Sequence, residues 1–126
     1  MISPRVQLLL EAAIDTPAKL HCVMLFAQRT VSRGTSPQIA SRLMRDIWTT
    51  RQALEELALA GLLSVTHGDG DPLYEYRPRA DYLDALRLLV QTYEDPMSRD
   101  MLHQSVNELA RYAPYRTDFS RAIPAF

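Results

Sequence analysis

The sequence predicts a mainly α-helical domain that carries a single two-stranded β-hairpin between its helices. Three observations lead to this. Ser3-Pro4, Thr16-Pro17 and Ser36-Pro37 each set a hydroxyl residue before a proline, the pattern of a helix N-cap followed by its first turn. Apolar residues recur at three- and four-residue steps through most of the chain, which is helical periodicity. Between the helical stretches, Gly61 is followed by two short apolar or alternating runs, "LLSVT" and "LYEYR", parted by "HGDGDP", which is hairpin chemistry.

Taken in order, "PRVQLLLEAAI" places Val6, Leu9, Leu10 and Ala13 on one stripe, so a first helix starts near residue 4. "PAKLHCVMLFAQRTV" is apolar almost all round from Leu20 to Ala27. That predicts a central helix over 17–32, covered on more than one side. "SRGTS" reads as a loop. "PQIASRLM" makes a third helix that buries Ile39, Ala40 and Leu43. Asp46 is placed to cap a fourth helix over 47–60, which Gly61 ends in a left-handed position. Beyond Pro78, "RADYLDALRLLVQTYE" and "SRDMLHQSVNELARYA" give two amphipathic helices broken at Asp95-Pro96. The tail keeps Tyr115, Phe119, Ile123 and Phe126 at three- to four-residue spacing.

Composition bounds the function. The 126 residues are 47% hydrophobic and 23% charged, ordinary for a globular domain that buries its own core. Formal net charge is −1, so no global basic field draws the chain to nucleic acid. Thirteen of the fourteen basic residues are arginine, with Lys19 the exception. The lone Cys22 sits in an apolar run, which fits a small buried hydrophobe in a reducing cytoplasm. No stretch approaches the roughly 20 apolar residues of a membrane span, and no signal peptide is visible. The expectation is a cytoplasmic protein with no membrane contact.

Chemistry-bearing groups are sparse. His21, His67 and His103 have no ligand spacing, so no metal site and no cofactor are expected. Asp81 and Asp84 share a helix face without a nucleophile or histidine nearby in sequence. Four glycines form no phosphate-cradling loop. The sequence does not read as an enzyme.

The segment "TSPQIASRLM", the helix "DIWTTRQALEELALAGLL" and the hairpin "SVTHGDGDPLYEYR" together resemble the winged helix-turn-helix superfamily, broadly the MarR-like bacterial transcription regulators. The resemblance covers residues 17–78. Residues 1–16 add an N-terminal helix, and 79–126 add C-terminal helices and a tail. The resemblance implies a three-helix core with a two-stranded wing, double-stranded DNA as partner, and a homodimer. It also implies that helix 47–60 enters the major groove.

On that reading Thr49, Arg51 and Gln52 would meet base edges. Ser36, Gln38, Arg42 and Arg45 would hold phosphate, and Arg77 and Arg79 would lie beside the wing. A helical wheel with Leu54 inward puts Ile47, Thr50, Leu57 and Ala58 on its side. Trp48, Thr49, Gln52, Glu55, Glu56 and Leu59 then face out, with Arg51 at the margin. The carboxylates and the acidic tip "GDGD" oppose phosphate. This keeps open a second reading, a protein-binding module that uses Trp48, Leu59 and the acidic residues as its surface. The C-terminal helices either form the dimer contact or pack back on helix 17–32 to complete the core.

Overall fold

The computed structural model describes residues 2–122, with side chains described through Tyr112. Helices α1 (Pro4–Ala12) and α2 (Pro17–Ala27) lead into a short strand β1 (Arg33–Thr35). Then come α3 (Ser36–Leu43), α4 (Ile47–Leu59), the strands β2 (Leu63–Thr66) and β3 (Leu73–Tyr76), α5 (Leu83–Glu94) and α6 (Pro96–Ala122). Among the described residues this is a mainly helical fold with one three-stranded antiparallel sheet, in the order β1-β3-β2.

The helix starts follow their caps. Ser3 and Thr16 accept hydrogen bonds from the N–H groups of Arg5 and Lys19, and Pro4 and Pro17 take the first helical position. The third cap sits one residue earlier than the hydroxyl-proline pattern suggests. Thr35 is the N-cap, and the side chain of Gln38 accepts from its N–H at 3.0 Å. Ser36 thereby becomes the first helical residue, and it is buried.

Two boundaries differ from the sequence reading. The central helix ends at Ala27 instead of running to residue 32. Arg29 adopts φ 61°, and the N–H groups of Thr30 and Val31 both turn back to the Leu25 carbonyl. That reversal releases the chain to form β1, which pairs with β3 through Gly34 opposite Tyr74. The expected loop therefore holds a third strand. Gly34 is buried because α3 lies against it: a Cβ there would stand 2.9 Å from Cδ1 of Ile39. At the other end α6 continues through Pro114 to Ala122 as one helix. The side chains of Tyr115, Phe119, Ile123 and Phe126 lie outside the described residues.

A single core joins every layer. Val6, Leu9 and Leu10 of α1 meet Leu20, Val23 and Phe26 of α2, with Leu54 and Leu57 of α4 and Tyr74 of the sheet. Leu86, Leu89, Leu102 and Val106 from α5 and α6 belong to the same cluster. The buried stripe of the C-terminal helices is thus spent inside the chain, against α1 and α2, as the core-completing alternative requires. What they leave outside is Leu83, Met97, Met101 and Tyr112.

Candidate interaction face on helix α4

Four devices hold α4 in place. Asp46 caps it, accepting from the Thr49 N–H at 2.8 Å, while Thr50 Oγ1 donates to the Asp46 carbonyl at 2.9 Å. Those bonds from Thr49 hold the Asp46 carboxyl below its ordinary value. Thr50, Ala53, Leu54 and Leu57 form the buried side. At the far end Gly61 takes φ 93°, where a side chain would be strained and would also run into Arg79. The chain then turns on the bond from Leu62 N–H to the Leu57 carbonyl, 3.0 Å.

The fourth device is ionic. Lys19 of α2, buried, reaches Asp15 Oδ1 at 2.7 Å and Glu56 Oε2 at 3.3 Å. Glu56 is therefore a tie to α2 and not a free outward charge, which corrects the wheel at that position.

The rest of the outer side is open. Trp48 is 76% exposed and Leu59 is 88% exposed. Thr49, Gln52 and Glu55 are exposed with them. Ile47, placed inward by the wheel, is 42% exposed. The Arg51 guanidinium lies 5.3 Å from the centre of the Trp48 ring, a cation–π arrangement. Beside this turn Met44, at φ 54°, is 93% exposed. A left-handed backbone costs a non-glycine residue about 1–2 kcal/mol.

The residues expected to contact DNA do not form one basic face. Thr49 and Gln52 line a shallow cleft of about 220 Å³ between α4 and the start of α2, together with Arg45, Thr16, Pro17 and Glu56. Arg42 is exposed beside Gln38, with Arg33 across an open groove at the start of α3. Ser36 is buried and its hydroxyl has no hydrogen-bond partner, so it presents nothing to a phosphate. Gln38 uses its amide oxygen as a cap acceptor, leaving its amide N–H group outward. Arg45 turns inward to His21 Nδ1 at 2.9 Å. Arg77 pairs with Glu75 at 3.6 Å, and Arg79 pairs with Asp81 at 3.2 Å while lying over Tyr82. At the hairpin tip His67, Asp69 and Asp71 are exposed.

Sequence spacing gave no sign of the cluster behind Arg45. His21 and His103 meet edge to face at 6.1 Å, and Tyr93 meets His103 edge to face at 5.9 Å. Arg99 lies over Tyr93 and donates to its carbonyl. Among the described residues no three His, Cys, Asp or Glu side chains group to hold a metal ion. Cys22 is buried, which pushes its thiol up to about 12, so at neutral pH it is a protonated hydrophobe.

Burial lowers the pKa of His21, helped by the charge on Arg45 and by His103. The unfolded chain then takes up the proton first. Stability from this group is therefore complete above about pH 6.5 and declines as the pH falls below it. We expect the urea midpoint of the wild type to drop more between about pH 7.5 and 5.5 than that of His21→Gln. Equal drops would mean that the His21–Arg45 contact does not discriminate between charge states.

Among the described residues no helix is long and apolar enough to cross a membrane. No family model matches the chain, and no curated protein or solved structure matches it.

Proposed function

We propose that this chain is a winged-helix module that docks a protein on the outer face of α4. The order of helix, short strand, two helices and hairpin, with β1 joined to β3, supports the winged-helix part. The observation that carries the docking part is the chemistry of the open face. Trp48, Leu59, Met44 and Ile47 stand exposed around α4, while Arg45 is engaged by His21 and the exposed Arg77 and Arg79 each lie beside a carboxylate that offsets their charge. Exposed Trp and Met with an adjacent Arg is the composition of an interface core.

DNA binding is the second reading. It is favoured by one observation, the exposed Arg33 and Arg42 across the groove at the start of α3. Phosphate-driven affinity falls steeply with salt, so the two readings separate cleanly. A photo-crosslinking residue in place of Leu59 should capture a discrete protein adduct in cells, and Trp48→Ala should abolish it. A hot-spot truncation costs about 2 kcal/mol, or roughly 30-fold in affinity. Labelled random duplexes at low and physiological salt should show no more than the weak non-specific affinity, about 10⁻⁴–10⁻⁶ M. Tighter, salt-steep duplex binding that Arg42→Ala weakens, with no adduct from position 59, would overturn the proposal.

A further inference from the structure

The exposed side of α4 reads almost the same in both directions. Trp48, Gln52, Glu55 and Leu59 are all exposed, and their steps of four, three and four residues are those of a helix–helix seam. The ends are apolar and the middle is an amide beside a carboxylate. Just off the stripe, Arg51 sits toward the start of the helix.

From this palindrome we infer that the occupant of the face is a second copy of the chain, its α4 seated antiparallel across a two-fold axis. The inference rests on the docking reading above and names its partner. With the axis between Ala53 and Leu54, Trp48 of one copy lies opposite Leu59 of the other. Gln52 faces Glu55, whose carboxylate accepts from the amide. Arg51 reaches Glu55 of the mate, so each half of the seam holds one cation against one carboxylate.

The alternative parallel arrangement would set Glu55 level with Glu55, which is repulsive in the centre of the contact. The antiparallel one also opposes the two helix dipoles. Glu56, tied to Lys19 at 3.3 Å, stays outside the seam. A two-fold contact of this kind closes on itself and does not propagate into fibres. One pair of three-turn helices is small for an interface, so the association is weak and concentration-dependent.

Trp48 is the only tryptophan in the chain, so its emission reports on this seam alone. On raising the purified protein from about 1 µM toward 1 mM, a range set by the weak end of known interfaces, Trp48 emission should shift to the blue. Sedimentation should show the mass doubling over the same range. Arg51→Glu and Glu55→Arg, both at surface positions, should each weaken self-association by about tenfold or more. An equimolar mixture of the two should recover it, since each reversed charge then faces its opposite.

A chain that stays monomeric throughout, with Trp48 emission unmoved, overturns the second-copy inference. If Leu59 crosslinks still capture another protein, the docking reading survives that result. Dimerisation that leaves Trp48 emission unchanged, or that ignores both charge reversals, places the contact elsewhere, for instance on Met97 and Met101 of α6, and overturns it too.

Discussion

Leu57→Ala is expected to destabilise the fold by about 2–5 kcal/mol, the range for emptying a leucine site in a packed core. The change is read as a lower urea midpoint with an unchanged slope. Leu57 is fully buried among Leu54, Leu62 and Tyr74, at the place where α4 hands over to β2. Its carbonyl also receives the Leu62 N–H that makes the turn. Since a domain of this size holds only about 5–15 kcal/mol in total, this one truncation removes a large share. Leu59→Ala, two residues on, is the control. Leu59 touches little, and its loss should stay within about 0.5 kcal/mol. Should the two variants unfold at the same urea concentration, α4 is not seated on the side described.

Lys19→Ala is the second large effect, about 2–3 kcal/mol. Breaking a fully buried ion pair costs about 3–5 kcal/mol because a desolvated charge is stranded. Here the figure is reduced, since the Glu56 side chain is 39% exposed and solvent screens it. Lys19 is the cation between Asp15 and Glu56, so without it two carboxylates confront each other across the α2–α4 junction. Neutralising them in the same background, with Asp15→Asn and Glu56→Gln, should return part of the loss. Circular dichroism in urea measures both steps. A Lys19→Ala midpoint equal to wild type would reduce the contact to a surface ion pair of negligible worth.

Much of this architecture was legible in the sequence because its determinants are local. Ser3, Thr16 and Asp46 cap the helices that follow them, and Gly61 alone supplies the left-handed turn that ends α4. The wheel placed Trp48, Gln52, Glu55 and Leu59 outward, where they are found. Other features have no local signature. β1 is three residues long with a glycine in the middle, too short to show alternation, and it exists because β3 pairs with it. The early end of α2 depends on Arg29 taking a backbone angle that usually marks glycine.

The candidate site divides in the same way. Which side of α4 is exposed follows from period and polarity, but which arginines are free does not. Arg45 is claimed by His21, 24 residues away in sequence, and Ser36 is turned inward because the cap moved to Thr35. A lysine buried between two acids reads, in one dimension, as one more surface charge.

The hairpin carries a practical consequence. β3 is clasped on both edges, by β1 and by β2, and the strand exits are tied by Arg77 N–H to the Leu62 carbonyl and Arg79 N–H to the Gly61 carbonyl. Between them the apex at 67–71 projects clear of the body, and nothing lies within 4 Å of where a Cβ would stand at Gly68 or Gly70. That apex is therefore a place to graft a peptide epitope or a fluorophore loop, letting the molecule be immobilised or tracked while its tryptophan-bearing side stays unobstructed.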